Sequence, residues 1–302
     1  MDILQNEFKR CTLYNMNTDN KKQKRLFLFA GYHPCGLIDS ALVYYVQELS
    51  KHGDVIVVMD CDCNKTQLNK LKNITLFASG TRHHEYDFGS YKRGYLWAKE
   101  NLNLSDYDYL YMVNDSVYGP FYSLDAYLKQ MESCGCDAFG IVANPHIEHP
   151  HIQSWFIGIT PKIFLSKWYD KFMNDITRHE SKGQITKLYE QGFSALVKKH
   201  KLNWACLYSV SGRGVYNKVK KLYRKKMPFM KKVAFTRNHG GLGRQILHIL
   251  NDTNKKLSNA VLSSACAQYG PKHVKWLLTK NPIKIAFRNA YHVLYKLFIE
   301  GI

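Results

Sequence analysis

The residues best suited to chemistry are Asn114, Asp115 and Ser116, at the end of the run YDYLYMVNDS. The residues before them, 110–113, are almost entirely apolar, which is typical of a strand buried in a sheet that is covered on both faces. An open α/β sheet builds its ligand site from polar side chains at such strand ends. Two interpretations remain open from the residues alone: Asp115 binds a ligand, or it only caps the Gly-Pro turn that follows.

A second candidate lies in the segment YDFGSYKRGY. Asp87 and Ser90 are close to the start of a predicted helix, and Gly89 would let a ligand approach the backbone. Lys92 and Arg93 in a first helical turn oppose the helix dipole unless an anion binds nearby. The segment therefore predicts a phosphate site, and the alternative is an N-cap followed by a basic first turn.

Three histidines and a glutamine follow in NPHIEHPHIQSWF, namely His146, His149, His151 and Gln153. Zinc ligation is conceivable for such a cluster, but two prolines preclude the helical spacing of an H-E-x-x-H site. The segment is better interpreted as a polar loop that leads into a strand. His151 and Gln153 would then share one strand face and point into a cleft.

Glu190, in the segment YEQGF, places one carboxylate in a mostly apolar and basic helix. Such a carboxylate can accept a proton in catalysis. Spacing alone favours a surface pair with Lys187 instead.

Strands and helices alternate over the first two thirds of the chain. Strands are predicted at 25–30, 55–59, 74–78, 109–113, 138–142 and 154–159, and helices at 38–49, 64–71, 91–101, 124–131, 163–172 and 185–200. This alternation predicts an α/β fold with a mostly parallel sheet flanked by helices. The composition changes near residue 201, so we expect one domain over 1–200 and a basic, mainly helical region over 201–302.

The composition is that of a folded protein, with 302 residues and 45% hydrophobic content. No apolar run reaches the ~18 residues of a membrane-spanning helix. The N-terminus lacks the apolar core of a secretory signal, so a cytoplasmic protein is expected. The eight cysteines occur singly or as C-x-C pairs. These spacings favour reduced, mostly structural thiols over a zinc or redox site.

Nearly all of the excess charge lies in the last third. The chain has a net charge of +19, and residues 201–302 contain 20 Lys and Arg against 2 Asp and Glu. Residues 218–232 and 282–302 mix these cations with aromatic and aliphatic residues, which suits an anionic inner membrane surface. The alternatives are a helical tail with a solvated basic face and nucleic-acid binding, although no nucleic-acid recognition motif accompanies the charge.

The motifs together resemble a known family. YDFGSYKRGY, YLYMVNDSVYGPF, DAFGI, HIQSWF and YEQGFSAL, in this order, are similar to the rhamnan synthesis protein F family of bacterial glycosyltransferases. The resemblance covers roughly residues 25–200 and does not extend into the C-terminal third. Phe139 stands where the family usually has Trp, and Trp155 where it commonly has Tyr.

The resemblance implies transfer of a sugar, typically a deoxyhexose such as rhamnose, from a nucleotide diphosphate to a growing cell-surface polysaccharide or lipid-linked glycan. It also implies a GT-A-like (Rossmann-like) fold, in which a carboxylate at a strand end holds a divalent cation, Mg²⁺ or Mn²⁺, against the diphosphate. Asp115 would take that role, with Asn114 and Ser116 beside it. Many such enzymes have two acidic residues at this position, whereas this chain has only Asp115. Lys92 or Arg93 would therefore share the neutralisation of the diphosphate.

Sugar transfer also needs a base that removes the proton of the acceptor hydroxyl. We expect Glu190 to be this base, with Asp87 as the second candidate and His151 as the third. His151, Gln153 and Tyr118 are candidate contacts to the acceptor or the sugar. His239 is a candidate contact to the metal or the diphosphate, and an ordinary loop histidine is the alternative.

Overall fold

The computed structural model describes residues 23–236, 241–287 and 290. The chain forms two compact units. The first contains residues 23–38, 45–115 and 123–212, and the second contains residues 39–44, 116–122 and the described residues from 213 onward. The sequence placed its boundary at residue 200. The first unit extends further because a strand over 204–209 belongs to its sheet.

The strands of the two units are β1 Arg25–Gly31, β2 Asp54–Met59, β3 Phe77–Gly80, β4 Tyr109–Asn114, β5 Val117–Tyr118, β6 Ala138–Asn144, β7 His151–Ile152, β8 Phe156–Ile159, β9 Trp204–Ser209 and β10 Met230–Lys231. Eight of them form the sheet of the first unit, in the order β3-β2-β1-β4-β8-β6-β7, with β9 paired to β6. Pairing is parallel from β3 to β4 and between β6 and β9, and antiparallel at β8 and β7. The predicted α/β fold with a mostly parallel sheet is therefore confirmed.

The α-helices are α1 Ser40–Ser50, α2 Lys65–Leu68, α3 Tyr86–Asn101, α4 Asp125–Glu132, α5 Pro161–Phe164, α6 Lys167–Asn174, α7 Lys182–Ile185, α8 Gly192–Lys199, α9 Gly214–Asn217, α10 Val219–Arg224, α11 Leu242–Asp252, α12 Lys255–Tyr269 and α13 Pro271–Leu277. Short 3₁₀ turns lie at Asn69–Leu71, Leu104–Asp106 and Lys232–Thr236, and a π-helical segment at Thr186–Gln191 joins α7 to α8. Residues 282–287 are also helical.

The core of the first unit lies between the sheet and its helices. Strands β1, β2 and β4 are buried over almost their whole length, as expected for central strands covered on both faces. Phe88, Tyr91 and Tyr95 of α3 pack into this core. On β4, the Tyr111 hydroxyl donates to Glu132, which forms a buried ion pair with Arg25. The polar tip of Tyr111 is thus satisfied inside the unit.

The structure corrects several predicted boundaries. Helix α3 begins at Tyr86 rather than at residue 91, and β3 lies three residues later than predicted. The helix predicted over 163–172 is two helices, because the backbone of Ser166 is extended and its side chain caps the second helix by accepting from the Tyr169 N–H. Strands β7 and β9 were not predicted at all.

The second unit contains the β5 and β10 pair, which is antiparallel, and helices α9 to α13. Its core is built from apolar residues of α11, α12 and α13 together with Tyr118 and Phe235. The described residues of this unit are mainly helical. Among the residues that the structure describes, no helix is both long enough and apolar enough to span a membrane.

Candidate functional site

The carboxyl ends of four parallel strands lie along one edge of the sheet in the first unit. Strands β3, β2, β1 and β4 are neighbours in that order, so the residues that follow them are brought together. These residues include Tyr32 after β1, Asp60 after β2 and Asp115 after β4. The edge is where the fold places polar side chains from distant parts of the sequence.

Asp115 bonds across this edge to the loop after β1. Its backbone N–H donates to the Ala30 carbonyl at 3.0 Å, and its Oδ2 accepts from the Tyr32 N–H at 3.4 Å. Burial raises the pKa of the Tyr45 hydroxyl well above its ordinary value, and the charge of Asp115 raises it further. The carboxylate is half-buried. It therefore lies where β1 and β4 end, next to the start of both loops.

Asn114 links this edge to the start of α3. Its side chain is buried, and its Nδ2 donates to Asp87 Oδ2 at 3.0 Å. Burial raises the pKa of the nearby Tyr91 hydroxyl well above its usual value, and the charge of Asp87 adds to this effect. Tyr91 therefore remains protonated, and it donates to the Ser154 carbonyl at 2.9 Å.

Glu190 lies in the π-helical segment and binds the same residue. Its Oε1 accepts from the Ser154 N–H at 2.7 Å. Among the described residues no ion pair joins Glu190 to Lys187, which was the pairing that spacing favoured. The side chains of Asn114 and Tyr91 are also hydrogen-bonded to each other. The contacts therefore run from Asp87 and Asn114 through Tyr91 and Ser154 to Glu190. Four motifs, spread over about a hundred residues of the sequence, are thus joined in the first unit.

Asp60 was missed by the sequence reasoning and organises the loop before α3. Its Oδ1 accepts from the backbone N–H groups of His83 and His84, both at 2.8 Å. His84 and Tyr86 have positive φ angles of 62° and 56°, which are uncommon for residues other than glycine, so the loop needs such anchors. Asp62 Oδ1 accepts from the N–H of Arg82, the residue before His83, at 2.9 Å. The signal for this pair was the D-x-D sequence directly after a buried strand.

His83 is buried in this loop and is neutral at pH 7. Glu85 N–H donates to His83 Nδ1 at 3.2 Å, so Nε2 carries the proton and donates to Ser90 Oγ at 3.0 Å. Burial lowers the pKa of His83 to about 4, although the nearby charge of Asp60 acts in the opposite direction. The approach of Nδ1 to Asp60 at 3.4 Å is therefore not an ion pair.

Lys92 and Arg93 are held by protein groups. Lys92 Nζ donates to the carbonyls of Asn174 and Ile176, at 2.9 and 2.8 Å. Arg93 pairs with Glu85 at 2.5 Å. Because α3 begins at Tyr86, both cations lie beyond its first turn, where they no longer oppose the helix dipole. Their predicted contact with the diphosphate gains no support from this arrangement.

Gly89 has a packing role inside α3. A Cβ atom there would lie 2.2 Å from the Glu85 Cβ and 2.9 Å from His83 Cε1. The absence of a side chain therefore lets α3 pack against its own preceding loop, and this is sufficient to explain a glycine at the position.

His151 and Gln153 are engaged within the polar segment that leads to β8. His151 is 4% exposed, and its Nδ1–H donates to the His149 carbonyl at 2.7 Å. Since a carbonyl can only accept, Nε2 holds the lone pair of the neutral ring. Gln153 Oε1 accepts from the Trp155 indole at 2.8 Å. His146 and His149 stack on each other, with ring centroids 6.0 Å apart.

The remaining candidate site residues belong to the second unit or lie outside the described residues. Ser116 Oγ accepts from Lys231 Nζ at 3.0 Å. Tyr118 is 1% exposed, and its hydroxyl lies 3.3 Å from Ser264 Oγ, so its side chain is part of the core of this unit. His239 lies outside the described residues.

A divalent cation at the described residues would need further ligands from the substrate. No group of three or more His, Cys, Asp or Glu side chains in residues 23–236, 241–287 and 290 is placed to hold a metal ion. Asp115, half-buried at the strand edge, offers one carboxylate. This suits Mg²⁺, which is usually bound by one or two carboxylates and the phosphates of a substrate.

The comparison with protein families identifies the chain. The family model for rhamnan synthesis protein F matches residues 55–294. The chain is a glycosyltransferase of the type that uses a nucleotide-diphosphate sugar. It belongs to the rhamnan synthesis protein F family, as its motifs predicted. The match also includes most of the C-terminal third, which the sequence resemblance had left out.

Solved structures also resemble the chain, at low sequence identity. A protein of Desulfovibrio desulfuricans G20 described as a nucleotide-diphospho-sugar transferase is 15% identical, with 68% of this chain and 89% of that chain covered and a TM-score of 0.35. The mannosyltransferase Ktr4p of S. cerevisiae, in complex with GDP, is 11% identical, with 67% and 78% covered and a TM-score of 0.36. Core-mannan synthase A of Aspergillus fumigatus, in its Mn/GDP form, is 10% identical, with 53% and 65% covered and a TM-score of 0.30. No curated protein matches the sequence.

Proposed function

We propose that the protein transfers rhamnose or a related deoxyhexose from a nucleotide diphosphate to a growing cell-surface polysaccharide or lipid-linked glycan. Membership of the rhamnan synthesis protein F family supports the choice of sugar and product. One structural observation supports the site: the chain of contacts that joins Asn114 and Asp87 to Glu190 through Tyr91 and Ser154. It places two carboxylates from different motifs at the ends of one hydrogen-bonded cluster.

On the donor side, Asp115 is the residue that would hold a divalent cation. Such a cation supplies positive charge that stabilises the leaving diphosphate. Asn114 fixes the strand tip by its bond to Asp87, so the backbone next to Asp115 is held in place. The fixed position matters because a displacement of about 1 Å can cost a factor of ~100 in rate.

On the acceptor side, Glu190 is the proposed base. The Ser154 N–H holds Oε1, which orients the carboxylate and leaves Oε2 to take the proton of the acceptor hydroxyl. Asp87 remains the second candidate, although the Asn114 amide engages one of its oxygens. His151 is the third, with the Nε2 lone pair as its basic atom.

The second unit supports a location on the anionic inner face of the cell membrane. Ile283 and Phe287 are 67% and 75% exposed, and they lie four residues apart on one helical stretch. Residues at this spacing share a helix face. Lys280 and Lys284 are exposed beside them. Apolar side chains flanked by cations suit the boundary between headgroups and acyl chains.

The donor is tested by thermal-shift titration of the full chain with a panel of nucleotide sugars, with and without Mg²⁺ or Mn²⁺. A bound donor raises the melting temperature, and the increase grows with the ratio of the donor concentration to its Kd. Donor turnover is then measured for the best ligand. Turnover of a nucleotide hexose in preference to nucleotide deoxyhexoses would contradict the proposed sugar, and failure of every nucleotide sugar would contradict the proposed donor class.

The metal role of Asp115 is tested by Asp115→Asn, with the exposed Asp175→Asn as the matched control. The amide keeps the acceptor for the Tyr32 N–H but removes the charge, so turnover should fall by at least about a hundredfold. The melting temperature should change little in both variants. Turnover of Asp115→Asn equal to that of the control would remove Asp115 from the site.

A further inference from the structure

Tyr86, the first residue of α3, combines a large exposed side chain with a strained backbone. Its φ angle is 56°, which lies in the left-handed region that a bulky residue rarely adopts. The residue is 41% exposed. Within residues 23–236, 241–287 and 290, the Tyr86 side chain forms no hydrogen bond, ion pair or ring contact. No polar or aromatic contact of its own therefore accounts for the strain.

Three other described residues that are not glycine have positive φ angles, and each has an ordinary explanation. Lys201 and Lys226 directly follow the ends of α8 and α10. The N–H of the residue after each lysine bonds back to a carbonyl of the helix, which is a common left-handed way to end a helix. His84 belongs to a residue type that is enriched in the left-handed region. Tyr86 begins a helix instead of ending one, so neither explanation applies to it.

The loop before α3 holds Tyr86 in this conformation. Asp60 accepts the His83 N–H at 2.8 Å, and the His83 ring accepts the Glu85 N–H at 3.2 Å. The Glu85 carboxylate pairs with Arg93 of α3 at 2.5 Å. The loop is thus anchored up to the residue before Tyr86. Backbone strain persists only where the surrounding structure imposes it, and it is concentrated at functional sites.

Tyr86 lies next to the candidate site of the first unit. The adjacent residue, Asp87, accepts from the Asn114 side chain at 3.0 Å, where β4 ends. The loop that leads to Tyr86 follows β3 and starts from the same edge of the sheet as the loop with Asp115. All of these residues belong to the first unit. An exposed aromatic ring beside a substrate site offers an apolar face to a ligand.

We infer that the Tyr86 ring binds a pyranose ring of the glycan substrates by stacking on its apolar face. The inference rests on the proposed function for the class of substrate. A pyranose ring carries C–H groups on its faces, and a 6-deoxyhexose adds a methyl group, so stacking removes apolar surface from water. Because the loop fixes the Tyr86 backbone, little conformational freedom is lost on binding. Both the donor sugar and the acceptor glycan present such a ring.

Saturation-transfer NMR titration of the full chain with methyl α-L-rhamnoside measures sugar binding without a nucleotide and without turnover. Tyr86→Ala should weaken this binding by about tenfold, as expected when part of an aromatic side chain is no longer buried by the ligand. Tyr86→Phe keeps the ring and should stay within about twofold of the parent chain. Lys201→Ala is the matched control, because Lys201 is exposed in the same unit and has a φ angle of 58°.

Competition identifies the source of the stacked sugar. The nucleotide deoxyhexose that gives the largest thermal shift should displace methyl α-L-rhamnoside if Tyr86 stacks on the donor sugar. The methyl rhamnoside should remain bound beside that nucleotide sugar if Tyr86 stacks on the acceptor.

Urea unfolding of glycine variants tests the strain itself. Glycine adopts a positive φ angle without strain, so Tyr86→Gly should have a higher urea midpoint than Tyr86→Ala, the reverse of the order at an ordinary helical position. Lys201→Gly and Lys201→Ala should show the same order. Tyr86→Gly should nevertheless bind methyl α-L-rhamnoside as weakly as Tyr86→Ala, whereas Lys201→Gly should bind it like the parent chain.

Methyl rhamnoside affinity of Tyr86→Ala within about twofold of that of Lys201→Ala would overturn the inference. A parent chain that does not bind the sugar would also overturn it, as would a urea midpoint of Tyr86→Gly below that of Tyr86→Ala. Donor turnover would then be unaffected as a finding. Failure of the proposed reaction looks different: the parent chain then binds methyl α-L-rhamnoside through Tyr86 but turns over no nucleotide sugar.

Discussion

Ser154 connects the two carboxylates of the candidate site through its backbone. Its N–H donates to Glu190, and its carbonyl accepts from Tyr91, whose pKa is raised by burial and by the charge of Asp87. The Ser154 backbone therefore holds Tyr91 of α3 and Glu190 of the π-helical segment at fixed positions relative to each other. Because the peptide groups on both sides of the Ser154 Cα are hydrogen-bonded, the N–H that binds Glu190 is held in place and restricts the rotamers of that carboxylate.

Replacement of Glu190 by Gln is the sharpest test at the level of single residues. The Gln side chain still offers an oxygen to the Ser154 N–H but cannot take a proton at neutral pH. We expect kcat to fall by roughly 10² to 10⁴, the usual contribution of a general base, with little change in the melting temperature. Donor turnover against pH gives the measurement, since the limb that reports the base should disappear.

Glu100→Gln provides the control for this variant, because Glu100 is exposed on α3. A kcat of Glu190→Gln equal to that of Glu100→Gln would exclude Glu190 as the base. Asp87 and His151 would then be tested in the same way.

At the level of elements, the loop between β3 and α3 depends on a carboxylate that follows β2. Asp60 is 4% exposed and accepts two backbone N–H groups of the loop. Arg82 pairs with the same carboxylate at 3.2 Å and stacks on the Tyr32 ring at 4.8 Å from its centroid. The loops after three neighbouring strands are thus tied to one another. This arrangement fixes the position from which α3 starts.

The neutral state of His83 makes this loop sensitive to acid. Its pKa is about 4 in the folded chain and 6.5 in the unfolded chain, so the unfolded chain binds more protons between these values. Stability therefore falls as the pH decreases from about 6.5 towards 4, and this one group contributes roughly 3 kcal/mol to the loss.

Urea unfolding of the parent chain and of His83→Gln between pH 7 and pH 4 measures this contribution. The variant should lose less stability over that range. His146→Gln, which removes an exposed histidine, is the control and should behave like the parent. An identical pH dependence in His83→Gln and the parent chain would show that His83 is not responsible.

On the scale of the whole molecule, positive charge concentrates in the second unit, which also exposes two large apolar side chains on one helical stretch. Its sequence carries nearly all of the net charge, and Ile283 and Phe287 are exposed on one helical stretch. If the acceptor is a lipid-linked glycan, as proposed, the enzyme gains from being held at the membrane. Residues 288–289 and 291–302, which complete the second basic segment, lie outside the described residues.

The double variant Ile283→Asp/Phe287→Asp tests the membrane location. Burial of these two side chains in lipid is worth about 1.5–3 kcal/mol each, so binding to vesicles containing phosphatidylglycerol should weaken at least tenfold. Sedimentation with such vesicles, and with phosphatidylcholine vesicles for comparison, gives the measurement. Ile147→Asp is the control, because Ile147 is 95% exposed in the first unit. Equal sedimentation of both variants would contradict the proposal, and retention on DNA but not on vesicles would favour nucleic acid.

The sequence predicted the elements of the first unit wherever apolar spacing is strong. The strands at 25–30, 55–59 and 109–113 lie within a residue or two of their observed positions. Prediction failed where local signals compete with packing. Gly89 suggested a loop, yet it is inside α3 because the preceding loop packs against it. β7 has two residues, too few for a periodicity to show.

The amino-acid sequence by itself determined the family, the α/β class and the motifs that contain Asp87, Asp115 and Glu190. These properties depend on residue types and their spacing along the chain, which the sequence contains directly. Only the tertiary structure decided which side chains are available for chemistry. Lys92 is bound by two backbone carbonyls and Arg93 by a carboxylate. Tertiary contacts also link Glu190 to Asp87. Hydrogen-bond partners across such distances arise from the packing of strands and helices, and no local pattern in the sequence specifies them.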